Sequence, residues 1–324
     1  MTQAIVVRET GGPDVLEWAT VEVGDPGPGE ALIEQTAVGL NYIDVYFRTG
    51  LYPAPQLPFT PGMEGAGTVL AVGDGVDHVA VGDRVAYAGP IGAYAERRVL
   101  EARHLVKVPD GVSDETAAAA MLKGMTARYL LRATHAVQPG DTILFHAAAG
   151  GVGLIAGQWA KALGATTIGT VGSPEKAELA KANGYDHVIL YKQENFVDRV
   201  RDITDGKGCD VVYDSVGKDT FPGSLDCLRP RGLWASFGQS SGPLPEVNLA
   251  ILSQKGSLFA TRPTLFSYIA QRHELEETAA DLFAVIADGT VNIAVNQRFA
   301  LRDAAEAHRA LEGRRTTGGT LLLP

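Results

Sequence analysis

The stretch GDTILFHAAAGGVGLIAGQWAKALGA, residues 140–165, constrains the fold of this chain more than any other. An apolar run at 142–146 passes straight into Ala147-Ala148-Ala149-Gly150-Gly151-Val152-Gly153 and then into an amphipathic segment. Val152, Ile155, Trp159 and Leu163 recur at spacings of three and four, so they share one helical face. Gly164 stands where a helix end takes a left-handed residue. Small residues let such a turn run tight and let the backbone approach a pyrophosphate. The helix N-terminus meets that anion with unpaired N–H groups and the positive end of its dipole. The spacing is A-x-x-G-x-x-G rather than G-x-G-x-x-G, so the motif draws its force from its setting, strand before and helix after. The competing reading, a glycine turn that only packs helix on strand, is weakened because a second strand–helix step follows at once.

That alternation continues. Runs at 142–146, 166–171, 187–190, 210–214, 232–237 and 257–261 are mostly continuous and apolar, as parallel strands covered on both faces are. Ser173-Pro174 reads as an N-cap followed by proline at the first helical position, and that helix closes at Gly184. Six strands alternating with helices predict an α/β, doubly wound parallel sheet over residues 125–264. Residues 1–124 differ in character. Short β-type runs at 4–8, 30–39, 67–72, 83–87 and 105–108 are cut by turns such as Gly11-Gly12-Pro13, Asp25-Pro26-Gly27-Pro28-Gly29 and Gly73-Asp74-Gly75. They predict a compact, barrel-like β domain. Residues 265–324, with a helix at 274–288 and a strand at 319–323, complete that first domain, which the second interrupts.

The second strand–helix step bears on the cofactor. About 20 residues after the glycine turn, an NAD site offers Asp or Glu to the ribose hydroxyls. Here the strand at 166–171 ends in Gly172-Ser173-Pro174-Glu175-Lys176. The tip carries a small hydroxyl and then a lysine, a pair that favours a 2′-phosphate, with Glu175 turned to solvent. NADPH is therefore expected over NADH.

Composition removes several function classes. Lys+Arg 28 against Asp+Glu 38 gives a net charge of -10, which disfavours nucleic-acid backbones and anionic membrane surfaces. No apolar stretch reaches the roughly 18 residues of a membrane helix. MTQAIVVRETGG shows no secretory pattern, so a cytoplasmic protein is expected. Two cysteines, Cys209 and Cys227, cannot make a disulfide framework or a structural zinc site.

Several longer segments carry a resemblance: NYIDVYFRTGLYP (41–53), PGMEGAGTV (61–69), GDRVAY (82–87), LKGMTARYLL (122–131), FHAAAGGVGLIAGQWAKALGA (145–165), VVYDSVG (211–217), SFGQSSG (236–242) and TRP (261–263). Over essentially its whole length the chain resembles the zinc-independent quinone oxidoreductases, the zeta-crystallin-like branch of the medium-chain dehydrogenase/reductase superfamily. The resemblance implies a GroES-like catalytic domain, a Rossmann domain with a six-stranded sheet, a substrate cleft between them, and a homodimer. Zinc-dependent relatives hold their metal with a Cys and the His of a Gly-His-Glu motif. Asn41 and Met63 stand at the corresponding places, and an amide and a thioether are poor partners for Zn²⁺, so no metal is expected.

What the residues then suit is an acceptor already electron-poor, a quinone held against the nicotinamide. Asn41, Tyr46 and Tyr52 are the candidate catalytic residues, as hydrogen-bond donors to the carbonyl oxygen on which charge develops, and tyrosine also stacks on flat rings. By the family pattern, cofactor contacts fall on Tyr42, Tyr129, Gly151, Val152, Gly172, Ser173, Lys176 and Tyr191. They continue with Val216, Gly238, Gln239, Ser240, Ser241, Pro263, Thr264, Leu265 and Arg314. Lys123 is placed near the nicotinamide without a defined role, and His146 is read as structural. Packing of the tyrosines in the barrel wall is the plain alternative. An enone or 2-alkenal reductase, or a non-enzymatic NADPH-binding structural or RNA-interacting protein, are the alternative functions; the acidic balance argues against RNA. The apolar edge Ser257-Leu258-Phe259-Ala260 is expected to pair with its twin in a dimer.

Overall fold

The computed structural model describes residues 1–54 and 56–324 and divides them into two compact units. Unit 1 comprises Met1–Met125, Gln271–Ala287 and Ile293–Pro324, and unit 2 comprises Thr126–Ala270 and Asp288–Asn292.

Unit 1 opens with β1 (Thr2–Val7) and β2 (Leu16–Val21), an antiparallel pair. Then come β3 (Glu30–Gly39), α1 (Tyr42–Thr49), β4 (Glu64–Val72), β5 (Arg84–Ala88), β6 (Arg97–Glu101) and β7 (Val106–Lys107). In β3 the side chains of Ala31, Ile33 and Gln35 point inward, alternating with outward positions, as a strand covered on one face requires. Their core includes Ile5, Val69, Val85, Tyr87, Leu100 and Leu105, all at most 4% exposed. Helix α2 (Asp114–Tyr129) carries the chain from unit 1 into unit 2.

Unit 2 alternates strand and helix. Its elements are β8 (Thr142–His146), α3 (Gly151–Ala162), β9 (Thr166–Val171), α4 (Pro174–Ala182), β10 (His187–Leu190), α5 (Phe196–Ile203) and β11 (Cys209–Asp214). The short helix α6 (Gly223–Asp226), β12 (Leu228–Ser236), α7 (Ala250–Gln254), β13 (Phe259–Thr261) and α8 (Leu265–Tyr268) complete it. The six strands lie parallel in the order β10-β9-β8-β11-β12-β13, the doubly wound Rossmann arrangement. Chain order reverses between β8 and β11, so the carboxyl ends of those strands flank the switch point where such sheets take ligands.

Two strands differ from expectation. β12 begins four residues early, at Leu228, because it pairs with β11 from Cys209 onward. β13 begins only at Phe259: Gly256 (φ 114°) and Ser257 (φ 56°) are left-handed, so the chain cannot be extended there.

The chain returns to unit 1 as α9 (Arg272–Ala287), β14 (Val295–Ala300), α10 (Ala304–Glu312) and β15 (Gly319–Leu323). The main sheet of unit 1 runs β14-β15-β3-β4-β5-β7, with β6 also paired to β3. It is chiefly antiparallel, with β14 and β15 parallel.

Candidate functional site

In unit 2, β8 is followed by Ala147, whose φ of 58° is left-handed and costs a residue with a Cβ about 1 kcal/mol or more. That turn lets Gly150 N–H donate to Ala147 O at 2.9 Å and starts α3 at Gly151. The amides of Gly151, Val152 and Gly153 precede the first intrahelical bond, Leu154 to Gly150, and face outward from the helix start. A Cβ on Gly153 would stand 2.5 Å from both Ala147 O and Ala148 O, so only glycine lets the helix begin this close to the strand. Tyr185, 3% exposed, fixes the helix from the side by donating its hydroxyl to Gly153 O at 2.8 Å.

At the tip of β9, Ser173 caps α4 by accepting the Lys176 N–H, and Pro174 takes the first helical position. Glu175 is exposed, and a hydrogen bond with Ser173 holds its carboxyl below the ordinary range. Tyr191, after β10, donates its N–H to Val171 O and lies against Gly172, where a Cβ would come within 3.0 Å of the phenol oxygen. Gly172, Ser173, Lys176 and Tyr191 thus form one cluster.

At the end of β11, Asp214 is fully buried and accepts from Val216 N–H, Gly217 N–H, Thr220 and Ser224 at 2.8–3.0 Å. Burial acts to raise its carboxyl, but His146 and these donors outweigh it, and the net shift is downward. This knot shapes the loop against which Ser240 and Ser241 donate their N–H groups, to Ser215 O and Val216 O. Gly238 comes so close to Ser215 that a Cβ would lie 2.7 Å from its carbonyl oxygen. Arg262 ties Ser236 O and Gly238 O to the exit of β13, which leads to Pro263, Thr264 and Leu265. Thr264 is exposed at the start of α8, while the Leu265 side chain turns into the core at 4% exposure. Tyr129 is buried and stacks on Tyr268 with centroids 4.6 Å apart. His146 sits between Thr170 and Ser224, wholly buried, as a structural histidine does.

In unit 1 the chain leaves β3 at Gly39 and starts α1 with Asn41 as its N-cap. Glu64, the first residue of β4 and 0% exposed, lies beneath it. Its Oε1 accepts from Asn41 Nδ2 at 2.8 Å and pairs with the Lys123 ammonium; its Oε2 accepts the Leu122 N–H at 2.6 Å. The Asn41 amide also donates to Gly39 O at 3.4 Å. The Asn41 nitrogen thus faces two acceptors, Glu64 and Gly39 O. Tyr46 is 8% exposed, with the rings of Tyr52 and Tyr42 at 5.0 and 6.2 Å. Tyr42 bonds Leu311 O, and burial raises its phenol while nearby Arg314 opposes that shift. Arg314 is exposed, in the loop between α10 and β15.

A second buried chain runs under α1. Arg48 Nη1 donates to His308 Nδ1 at 3.0 Å, because a guanidinium only donates. His308 Nε2–H then faces the Tyr94 hydroxyl, which donates to Asp44 Oδ2; both distances are 3.0 Å. Burial drives Asp44 up to about 7, eased by the Asn41 N–H and Tyr94, and drives His308 down to about 3. Sequence reasoning missed Glu64, Asp44, Tyr94 and His308. The one signal was Glu64 itself, a lone carboxylate in the otherwise apolar stretch 61–69.

The donor set does not suit zinc. Asn41 and Met63 supply an amide and a thioether, and the Glu64 carboxylate is taken by three donors. Among the described residues no group of three His, Cys, Asp or Glu could hold a metal ion. Nor is any described helix long and apolar enough to cross a membrane.

Comparison with known proteins matches residues 27–110 to the alcohol dehydrogenase GroES-like domain and residues 151–284 to the zinc-binding dehydrogenase family. A quinone oxidoreductase of Pseudomonas aeruginosa is 58% identical over 325 residues, covering 100% of each chain. A 2-haloacrylate reductase of a Burkholderia species is 47% identical, covering 100% of this chain and 99% of its own. The crystal structure of Escherichia coli quinone oxidoreductase complexed with NADPH superposes with a TM-score of 0.98 at 50% identity, over 99% of this chain and 100% of that one. With a GroES-like unit, a Rossmann unit and no zinc-ligand set among the described residues, the chain belongs to the zinc-independent quinone oxidoreductases of the medium-chain dehydrogenase/reductase superfamily.

Proposed function

We propose that this protein reduces quinones at the expense of NADPH. The observation that carries the reading is the closed cluster Asn41–Glu64–Lys123. It fills the place where zinc-dependent relatives bring an electrophile to a poor acceptor, so the acceptor must be electron-poor by itself. A quinone is.

The residues fit NADPH. Gly151 and Val152 offer N–H groups at the α3 N-terminus, which a pyrophosphate would take. Ser173, Lys176 and Tyr191 gather at a strand end without an inward carboxylate, which suits a 2′-phosphate; Ser173 would exchange its bond to Glu175 for it. Gly172, Val216, Gly238, Gln239, Ser240 and Ser241 border the same carboxyl ends of the sheet. Tyr129, Pro263, Thr264 and Leu265 are assigned to the nicotinamide end, Leu265 through its backbone. Tyr42 and Arg314 are assigned from unit 1. Bound there, NADPH supplies a hydride equivalent. Tyr46 and Tyr52 provide an aromatic wall for the flat acceptor, and their hydroxyls would donate to the oxygen on which negative charge develops.

The finer assignments rest on individual features. Edge strand β13 carries Phe259 at 63% exposure, which supports a homodimer paired through that edge. Two buried free thiols, Cys209 and Cys227, suit a reducing compartment, and we assign the protein to the cytoplasm. A second reading, reduction of a conjugated C=C, is favoured by the relative named 2-haloacrylate reductase.

The test follows nicotinamide absorbance in chelator-treated protein, with NADPH or NADH against para-benzoquinone or a 2-alkenal. Chelator-resistant oxidation of NADPH, faster with the quinone, is expected. Turnover with the alkenal alone would transfer the assignment to the second reading. NADPH binding without turnover of either would refute both.

A further inference from the structure

We propose that Glu64 and Lys123 are positioning residues that lock the Asn41 carboxamide in one polarity, so that Asn41 meets its ligand as a hydrogen-bond acceptor and selects a hydroxyl. The inference rests on the quinone-reductase reading and deepens it.

A primary amide has two N–H donors and one oxygen with two lone pairs, and it can turn end for end unless its neighbours forbid it. Here they forbid it from two sides. Glu64 is wholly buried and ion-paired with Lys123, and an ionised carboxylate only accepts. Every group directed at it is a donor: the Lys123 ammonium, the Leu122 N–H and the Asn41 nitrogen. Turning the amide would set oxygen against oxygen. On its other side, Asn41 Nδ2 also donates to Gly39 O at 3.4 Å, a carbonyl that only accepts, while the Asn41 backbone N–H goes to Asp44 Oδ2 at 2.9 Å.

The close approach is built into the backbone. A Cβ on Gly39 would fall 2.5 Å from Ala118 O and closer still to the Glu64 carboxylate, so glycine is what lets Glu64 sit directly under Asn41. With both amide hydrogens engaged, at 2.8 and 3.4 Å, the capacity remaining on this side chain is a lone pair of Oδ1. Its complement is a donor on the ligand. A ketone oxygen cannot supply one; a hydroxyl can. Two sources share that chemistry, a ribose hydroxyl of the cofactor and a hydroxyl of the hydroquinone formed from the acceptor.

The double variant Glu64→Gln, Lys123→Met tests the lock without leaving a lone buried charge. The Leu122 N–H still demands oxygen at one end of the introduced glutamine amide, so the NH₂ end of that amide faces Asn41 and pushes the Asn41 nitrogen away. Calorimetry then reads two affinities: NADPH for the free protein and para-hydroquinone for the NADP⁺-bound protein. A rise in the hydroquinone Kd of tenfold or more, with NADPH within twofold, supports the inference and assigns the hydroxyl to the acceptor. A tenfold rise for NADPH supports it and assigns the hydroxyl to the cofactor. Unchanged affinities for both in a folded variant overturn it. Wild-type protein that binds neither ligand overturns the quinone-reductase reading, and this inference with it. Lys123→Arg keeps the ion pair and should restore wild-type affinities over Lys123→Met. If the double variant does not fold, the wild-type protein decides: in selectively ¹⁵N-labelled protein the Asn41 side-chain amide protons should be protected from exchange. Exchange at the rate of a free amide overturns the lock.

Discussion

Replacing Asp44 by Asn should change how stability depends on pH, by an amount that follows from the buried chain beneath α1. Asp44 Oδ2 accepts the Asn41 N–H and the Tyr94 hydroxyl, while its buried Oδ1 has no partner. Burial raises the carboxyl from the ordinary 3.8 to about 7. A carboxyl raised on folding favours the folded state at low pH, and that contribution is lost as pH climbs from about 4 through 7. By linkage, the native carboxylate costs about 4 kcal/mol at pH 8 but only about 2 at pH 5, a difference of about 2–3 kcal/mol. His308 works in the opposite direction. Its imidazole is depressed from 6.5 to about 3, so its contribution is present above 6.5 and lost on acidification, by about 2 kcal/mol at pH 5. In the wild-type protein the two slopes nearly cancel between pH 5 and 8. Asp44→Asn removes one of them. The variant keeps an acceptor for Tyr94 and Asn41 but buries an unpartnered NH₂ group, a loss of about 1–3 kcal/mol at every pH. Relative to wild type it should therefore be about 2–3 kcal/mol better off at pH 8 than at pH 5. Urea unfolding followed by circular dichroism at the two pH values measures this. A variant-minus-wild-type difference that is the same at both would refute the assignment of a titrating carboxyl at Asp44.

Two further outcomes are expected. Lys176→Glu puts a carboxylate where a 2′-phosphate is proposed to bind, and should lower the NADPH-to-NADH ratio of kcat/KM at least tenfold; an unchanged ratio removes Lys176 from the site. Phe259→Asp places a charge on the exposed edge strand β13 and should shift a dimer to monomer in sedimentation velocity, with the circular dichroism spectrum unchanged; a dimer that survives it is built through some other surface.

Unit 2 was largely legible because its physics is local. A parallel strand covered on both faces writes itself as a continuous apolar run, and the βα turn at 147–153 needs small residues whatever surrounds it. Ser173-Pro174 names its own helix start, and the structure caps α4 there. Unit 1 was less so. β6, with the sequence RRVLE, half exposed, and β14, VNQRFA, mix charge with apolar residues and carry little strand signal of their own. The buried polar residues were illegible for a different reason: Glu64 is neutralised by Lys123, 59 positions away, and Tyr94 is bonded to His308, 214 away. A carboxylate whose partners lie that far along the chain looks like any solvated one. The bond of Asn41 to Glu64 was hidden for the same cause, since that carboxylate lies 23 positions away.

The strand order of unit 1 also has a consequence for how the protein is made. β15 lies between β14 and β3, and it is synthesised after both. β6 covers Glu30–Glu34 on that edge of β3, but Val38 and Gly39 gain their neighbour there only when Leu321 and Leu322 emerge, some 280 residues after β3 itself was synthesised. Unit 2, contiguous but for five residues, meets its sheet partners much sooner. During synthesis the nucleotide-binding half can close while the half that carries Asn41 and Glu64 still waits for β15.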